Sequence, residues 1–388
     1  MKLASRMGRL GTETAFEVLV RAQGLEAEGL EVIHLEIGEP DFPTPRHIIE
    51  AAYRAMLDGH THYGPSAGLP ELRRAVARYV SQTRRINVDP EQVVITPGGK
   101  PVIFFTVLSL IEPGDEVLVP DPGFPIYESA VSFAGGTPVP VPLREERGFR
   151  LDVADIRARL TDRTRLIILN SPHNPTGSVL TLQDLEAIAD LVRSRDLYVL
   201  SDEIYSRIIY DVDHHSLASL PDMAERTIIL DGFSKTYAMT GWRLGYGVFP
   251  PGLVPGIIRL MVNSVSCTAT FVQFAGLAAL DGPQDSVATM VREFRRRRDF
   301  LTAALNEIPG IRCLQPQGAF YAFPSVKGLP LGSREFADRL LSEFGVAVLS
   351  GDAFGAAGTG YLRLSYANSL ENLERAVARI RKAVESLV

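Results

Sequence analysis

The chain has 388 residues and 46% of them are hydrophobic, which is enough for a large core in two domains, or in one domain with a smaller attachment. Its net charge of −6 and pI of about 5.7 argue against nucleic acid as the main partner, because nucleic-acid-binding proteins carry basic surfaces. No segment reaches the ~20 uninterrupted apolar residues of a membrane span, and the N-terminus lacks an apolar stretch of signal-peptide length.

The first elements along the chain are a predicted helix over residues 14–28 and a predicted strand over residues 32–37. Five short apolar runs follow, and each ends in a polar or glycine-rich loop. Runs that are apolar at nearly every position are typical of strands buried on both faces, as in a mostly parallel sheet covered by helices. The five runs occupy residues 93–96, 116–119, 166–169, 197–200 and 227–230.

Helices are predicted between and after these strands. Residues 182–195 form one candidate with Thr181 as its N-cap, and residues 281–298 predict a long helix joining two parts of the chain. The tail alternates a helix, two short strands and a closing helix, at residues 333–344, 346–349, 361–365 and 371–387.

These elements predict an α/β fold with two domains. We expect residues 47–285 to form a large domain with a mostly parallel sheet between helices. Residues 1–46 and 286–388 are expected to form a smaller α+β domain from the two ends of the chain.

Two features of the sequence favour an ordinary interpretation. Four consecutive arginines at residues 295–298 stand beside Glu293 and Asp299 in a helical stretch, so we expect a solvated helix face. Cys267 and Cys313 have no metal-binding spacing and suggest no disulfide framework. We therefore expect no metal, and a cytoplasmic location.

Ligands bind outside the carboxyl ends of parallel strands, so the loops after the five runs predict one common site. Lys235 lies in a turn of small residues just past residues 227–230. A partly desolvated lysine has a lowered pKa and can form a Schiff base with a carbonyl group. Taken alone, the same segment also suits an ordinary surface lysine.

Asp202 ends a central run, where a carboxylate must be paired or hydrogen-bonded. It can pair with a cationic ring nitrogen or act as the N-cap of a following helix, and this segment leaves both open. Residues 97–101 lead into a predicted helix over 102–111, and their glycines at a helix N-terminus suit a phosphate. A plain helix start explains that loop equally well.

Two arginines suit anions. Arg243 stands among glycines and aromatic residues, where it can offer a planar donor fork or a structural salt bridge. Arg363 alternates with Leu362 and Leu364, so on a strand it faces the opposite side, towards a carboxylate or towards water. A Schiff-base lysine, an acid for a pyridinium nitrogen, a phosphate loop and a carboxylate fork together match one chemistry, that of pyridoxal phosphate on an amino acid.

With these residues the chain resembles the class I/II aminotransferases, which are pyridoxal-phosphate enzymes of fold type I, similar to aspartate aminotransferase. The resemblance covers nearly the whole length. It is carried by Asn-Pro-x-Gly at 174–177, Asp-Glu-x-Tyr at 202–205, Ser-Lys at 234–235 and Gly-Trp-Arg-x-Gly at 241–245, with supporting segments at 37–42, 63–68 and 361–365.

The resemblance implies a role for each catalytic residue. Lys235 would carry pyridoxal 5′-phosphate as a Schiff base, and Asp202 would keep the pyridine nitrogen protonated. Tyr205 and Asn174 would hydrogen-bond the phenolic oxygen of the cofactor. The freed amine of Lys235, its pKa lowered by burial and by nearby cationic charge, would move the substrate Cα proton.

The resemblance also implies how the rest of the cofactor is held. Arg243 and the backbone N–H groups of Gly99 and Lys100 would bind the phosphate, and Phe124 would stack on the ring. Tyr63 would reach the phosphate of a neighbouring subunit, which implies a homodimer with shared active sites.

The substrate α-carboxylate would be bound by Arg363, with help from Gly38 and Asn174. In one respect the sequence departs from the family pattern, since many members have a phosphate-binding serine where this chain has Gly232. Ser234 is a candidate to replace that donor. Phe124 is the second departure, because many members stack Tyr or Trp on the ring.

The implied function is an aminotransferase that moves the amino group of an L-α-amino acid, aspartate or a broad range, to 2-oxoglutarate by ping-pong kinetics. A C–S β-lyase or a cyclopropane-forming synthase on the same fold is the nearest alternative. An acyltransferase of the same fold fits the motifs less well. A pyridoxal-binding DNA regulator is a further alternative, but we expect no basic N-terminal domain here.

Overall fold

The computed structural model of the protein describes residues 3–387 and contains, in that range, twelve strands and twelve α-helices. The strands are β1 (Ile33–His34), β2 (Val93–Thr96), β3 (Glu116–Asp121), β4 (Thr137–Pro142), β5 (Thr164–Asn170), β6 (Tyr198–Asp202), β7 (Thr227–Gly232), β8 (Gly245–Val248), β9 (Tyr321–Ala322), β10 (Val346–Ala347), β11 (Leu349–Ser350) and β12 (Leu362–Ser365). The α-helices are α1 (Thr14–Ala27), α2 (Arg46–Leu57), α3 (Pro70–Arg84), α4 (Lys100–Leu110), α5 (Ile126–Ala134), α6 (Val153–Arg159), α7 (Leu182–Arg193), α8 (Val254–Ser264), α9 (Thr270–Asp281), α10 (Asp285–Asn306), α11 (Ser333–Phe344) and α12 (Leu370–Glu385).

Seven strands form the central sheet, in the order β2-β8-β7-β6-β5-β3-β4. All pairs between β7 and β4 are parallel, and β8 runs antiparallel to both β2 and β7. The mostly parallel α/β sheet predicted from the sequence is therefore confirmed. Each of the five apolar runs forms a strand whose residues are almost all buried, because helices cover both faces.

Two strands of this sheet were not predicted from the sequence. Strand β4 reads Thr-Pro-Val-Pro-Val-Pro, and proline cannot donate to a sheet ladder. It is tolerated because β4 lies at the edge and pairs only with β3. Strand β8 reads Gly-Tyr-Gly-Val, which is short and rich in glycine.

Local chemistry explains where the helices begin. Helix α7 starts at a capping box, in which the Thr181 hydroxyl accepts from the Asp184 N–H and the Asp184 carboxylate accepts from the Thr181 N–H. Helix α3 has Pro70 at its first turn and ends where Arg85 adopts a left-handed conformation. Helix α4 has no side-chain cap, and its first turn opens into the cavity described below.

The two ends of the chain meet in smaller sheets. Strand β1 pairs in parallel with β10, and β12 lies between β11 and β9 in an antiparallel sheet of three. The single strand predicted over residues 346–349 is thus divided between two sheets. Helix α10 spans Asp285–Asn306, starting later and ending later than predicted. The domain boundaries at residues 46/47 and 285/286 stay a prediction.

The arginine run of α10 is not simply a solvated face, so that prediction was wrong in part. Arg295 and Arg296 are exposed, but Arg297 and Arg298 are 6% and 3% exposed. Arg297 pairs with Asp41, and Arg298 pairs with an aspartate in a neighbouring loop. Consecutive helical residues are about 100° apart, so four in a row cannot all face water on a helix packed against a core.

No α-helix within residues 3–387 is both long enough and apolar enough to span a bilayer. In the same part of the chain, no group of three His, Cys, Asp or Glu side chains is placed to hold a metal ion.

Candidate active site

A cavity of about 520 Å³ lies at the carboxyl ends of the parallel strands. It collects eleven of the twelve residues that the sequence analysis assigned to the site. These are Gly38, Gly99, Lys100, Phe124, Asn174, Asp202, Tyr205, Ser234, Lys235, Arg243 and Arg363. The twelfth, Tyr63, is 90% exposed and lies apart from this lining.

The Lys235 amine lies in this cavity, so the surface interpretation does not hold. Its Nζ donates a hydrogen bond to the backbone carbonyl of Gly38 at 2.6 Å. Burial lowers the pKa of Lys235 to about 8, with Glu39 opposing and the cations Arg363 and Arg243 adding to the decrease. An amine with this pKa is partly neutral near physiological pH, and that fraction is available as a nucleophile or a base.

Asp202 forms part of the cavity wall at the end of β6 and is 4% exposed. Its carboxylate accepts from the Tyr127 hydroxyl at 2.7 Å and from the Ile204 N–H at 3.2 Å, in a turn rather than at a helix start. Burial raises the pKa of Asp202 to about 6, and the nearby Asp231 and Glu203 add to the increase. No cationic side chain of residues 3–387 bonds to this carboxylate.

Tyr205 is joined to a tyrosine that the sequence analysis did not identify. The Tyr205 and Tyr321 hydroxyls are 2.8 Å apart, and both rings are buried. Burial raises the pKa of each phenol, so both stay protonated and the pair can donate into the cavity. Gly38 packs on the same tyrosine, because a Cβ at position 38 would collide with the Tyr321 hydroxyl.

Arg363 is 4% exposed, so it faces the cavity and not bulk water. One Nη donates to the Asn174 side-chain oxygen at 3.2 Å, and the other donates to the backbone carbonyl of Glu36. Its Cζ lies 4.6 Å from the ring centre of Tyr321 and 4.9 Å from that of Phe354. The Nε has no partner, so this buried cation has a donor free for an anion.

A glycine-lined loop leads into α4. A Cβ at Gly98, whose φ is +86°, would collide with the Arg243 guanidinium, so this arginine lies directly against the loop. Ser234 is buried and lines the same cavity. Backbone N–H groups at an uncapped helix start, next to a guanidinium, are suited to bind an anion.

The side chain of Lys100 has a different environment from the one its neighbours in sequence suggest. It pairs with Glu13 at the start of α1, and its Nζ lies 5.9 Å from the Phe124 ring centre. The Lys100 side chain therefore borders the cavity next to Glu13 and Phe124, and its backbone N–H lies at the start of α4.

A profile of the family described as aminotransferase class I and II matches residues 31–380. The chain belongs to this family. It is 46% identical over 358 residues to an aspartate aminotransferase of Pyrococcus abyssi, covering 91% of this chain and 92% of that protein. It is 43% identical to aromatic-amino-acid aminotransferase 2 of Thermococcus litoralis, covering 99% of each. Among solved structures, the Thermus thermophilus aspartate aminotransferase with maleate matches with a TM-score of 0.94 at 37% identity, covering 99% of this chain and 100% of that one.

Membership confirms that the chain is an aminotransferase and that its cofactor is pyridoxal 5′-phosphate. The residues of the cavity fit this cofactor. Asp202 is a buried carboxylate without a cation, which suits a pyridinium N–H, and the loop before α4 with Arg243 suits a phosphate. Lys235 offers an amine of lowered pKa for the aldehyde.

Three further cavity residues were missed, two of them because their contacts are distant in sequence. Tyr321 reaches Tyr205 across 116 residues and Tyr127 reaches Asp202 across 75. Asn170 donates to the Asp202 carbonyl at 3.1 Å and accepts from the Asn174 N–H at 2.9 Å, which fixes the loop that carries Asn174. Asn170 had a sequence signal, because it directly ends a predicted strand.

Proposed function

We propose that this aminotransferase transfers the amino group of an L-α-amino acid, aspartate or a broad range that includes it, to 2-oxoglutarate by a ping-pong mechanism. The observation that carries the proposal is that the Lys235 amine and the Arg363 guanidinium share one cavity. Both are anchored to the same short segment, Lys235 at the Gly38 carbonyl and Arg363 at the Glu36 carbonyl.

Arg363 is suited to bind the α-carboxylate that all α-amino acids and their oxo acids share. Its stacking between Tyr321 and Phe354 fixes the plane of the guanidinium, and its free Nε leaves a donor for the ligand. One clamp can serve both halves of a ping-pong reaction, since the product oxo acid must leave before the second oxo acid enters.

Lys235 is suited to move the proton at the substrate Cα. With a pKa of about 8, its free amine is a base that is partly neutral at physiological pH. When bound, pyridoxal phosphate supplies the electron sink that stabilises negative charge at that carbon. The Asp202 carboxylate would hold a negative charge for the pyridine nitrogen, and the Tyr205 hydroxyl would offer a hydrogen bond to the phenolic oxygen.

Lys100 supports an acidic side chain among the substrates. Its ammonium borders the cavity and is held by Glu13, so a side-chain carboxylate can exchange with Glu13 as its partner. An apolar side chain would leave the ion pair intact beside Phe124 and Phe16. The relatives are named for aspartate and for aromatic amino acids, and one solved relative holds maleate, a dicarboxylate.

The proposal is tested with a panel of amino acids, each followed by the spectral change from the pyridoxal to the pyridoxamine form. We expect aspartate to react, and Lys100→Met to lower its kcat/KM by about tenfold while that of phenylalanine changes by less than about threefold. Equal losses for both substrates would contradict the role of Lys100. Release of ammonia and pyruvate from cystathionine in the absence of an oxo acid would contradict the proposed reaction and indicate a β-lyase.

We also propose a homodimer with shared active sites. Helix α2 exposes an apolar stripe of Ile49, Tyr53, Met56 and Leu57, at 41–68% exposure, and the nearby Tyr63 is 90% exposed. An apolar helix face of this kind favours a protein interface. Analytical ultracentrifugation should give twice the chain mass, and Met56→Asp should give monomers with weaker cofactor binding. Monomeric wild-type protein would exclude the shared site.

The two free cysteines support a cytoplasmic location, because Cys313 is buried with its pKa raised to about 12 and neither forms a disulfide. Fractionation of cells from the source organism with an antibody would test it, and recovery outside the cytoplasm would refute it.

A further inference from the structure

A buried charge cluster lies behind the cofactor site. Arg84, the last residue of α3, donates from Nε to Glu203 at 2.9 Å and from Nη2 to both Ser206, at 2.8 Å, and Asp231. The side chains of Arg84, Glu203 and Asp231 are only 1–2% exposed. None of the three belongs to the cavity lining within the described part of the chain.

The cluster joins the two strands that carry the central site residues. Glu203 directly follows Asp202 at the end of β6, and Asp231 lies on β7, four positions before Lys235. Within the sheet, Asp202 pairs with Leu230. The Asp231 carboxylate also accepts from the Gly232 N–H at 2.7 Å, at the start of the turn that leads to Lys235. The Arg84 guanidinium therefore connects the ends of β6 and β7 through side chains that lie outside the cavity lining.

The charge of this cluster acts on Asp202. Two carboxylates share one guanidinium, and burial lowers the pKa of His214, 3.9 Å from Glu203, which disfavours its cationic form. Among the described residues, Tyr127 from α5 and Tyr205 from the turn after β6 also face Asp202, and both are protonated; Lys235, from the turn after β7, lines the same cavity. After burial, Glu203 and Asp231 are the acidic groups that raise the pKa of Asp202.

We propose that Arg84 is a positioning residue of the cofactor site, which joins the ends of β6 and β7 and, with Glu203 and Asp231, sets the proton affinity of Asp202. The consequence is directional. Neutralising one carboxylate makes Asp202 easier to ionise, whereas neutralising the guanidinium makes it harder to ionise. A purely structural cluster predicts loss of function in both cases.

The test measures binding of pyridoxamine 5′-phosphate to the cofactor-free protein by calorimetry, as a function of pH. This probe is an amine and has no aldehyde, so it cannot form a Schiff base with Lys235. The pyridinium of the probe requires ionised Asp202. The affinity for the probe must therefore decrease at pH values below the pKa of Asp202, which is about 6. The probe itself titrates in the same way with every variant. The ratio of a variant's Kd to the wild-type Kd at the same pH therefore reports only the titration of the protein.

We expect Asp231→Asn to move the acid midpoint to lower pH, and Arg84→Met to move it to higher pH. For a displacement of about half a pKa unit, the Kd at about pH 5, normalised to about pH 8, falls about threefold in D231N and rises about threefold in R84M. The double variant has the wild-type cluster charge, so its midpoint should return towards wild type.

If R84M does not fold, D231N and the charge-retaining Arg84→Lys decide the question, because the first must lower the midpoint and the second must leave it in place. An unchanged or raised midpoint in D231N, or a parallel loss of affinity at all pH values in every variant, would overturn the proposal.

Discussion

Replacing Arg363 by lysine tests the substrate clamp most directly. The guanidinium already uses two of its donor groups on Asn174 and on the Glu36 carbonyl, and it keeps Nε for a ligand. The single ammonium of Arg363→Lys retains the positive charge but cannot reproduce this planar arrangement. Loss of one charge-assisted hydrogen bond costs about 1.5–3 kcal/mol, which lowers kcat/KM by about 10- to 150-fold.

The assay is the single-turnover half-reaction, with the rate measured against amino acid concentration. We expect a higher concentration for half-saturation and a smaller change in the limiting rate, because the carboxylate would be bound equally before and during the proton transfer. Arg298→Lys is a matched control, since that arginine is equally buried but pairs with Asp211 outside the cavity. Half-saturation within about threefold of wild type in R363K would refute the assignment.

Four other outcomes are expected. Lys235→Ala should abolish the visible absorbance of the cofactor that shifts with pH, and its survival would place the Schiff base elsewhere. Reductive alkylation of Lys235 in cofactor-free protein should accelerate with rising pH, with a midpoint at about pH 8, and level off at higher pH, because the lowered pKa makes the amine mostly neutral there; a midpoint near 10.5 would contradict its burial. Asp202→Ala should slow the half-reaction by at least ~10²-fold, since it removes a preorganised electrostatic partner, and near-normal rates would exclude that role. Tyr321→Phe should lower the limiting rate by about fivefold through loss of the hydrogen bond to Tyr205, with unchanged thermal stability as the check on folding.

The parallel sheet could be predicted because burial on both faces leaves a continuous apolar run in the sequence. That signal requires burial on both faces, which the edge strand β2 also has. Strand β4 lies at the edge, where prolines are tolerated, and β8 is built from glycines that pack closely on their neighbours. Neither strand carries the signal, although both belong to the same sheet.

The site residues could be predicted for a related reason. The ends of parallel strands meet at one edge of the sheet, so local position alone brought Asn174, Asp202 and Lys235 together. The orientation of a long cation could not be predicted in the same way. Lys100 pairs with Glu13 and Arg297 pairs with Asp41, both near the N-terminus. The sequence around these two cations does not indicate such distant partners.

The hydrogen bonds of Lys235 and Arg363 show why their anchoring could not be predicted from the sequence. Lys235 donates to the backbone carbonyl of Gly38, and Arg363 donates to that of Glu36. Because every residue has a backbone carbonyl, no particular residue type indicates these acceptors. What the sequence does specify there is the glycine, because a side chain at position 38 would collide with the Tyr321 hydroxyl. Substitution of Gly38 should therefore act through Tyr321, displacing the segment that holds both cations. The conformation of three backbone residues, more than the identity of any side chain among them, keeps the Lys235 amine and the Arg363 guanidinium in one cavity.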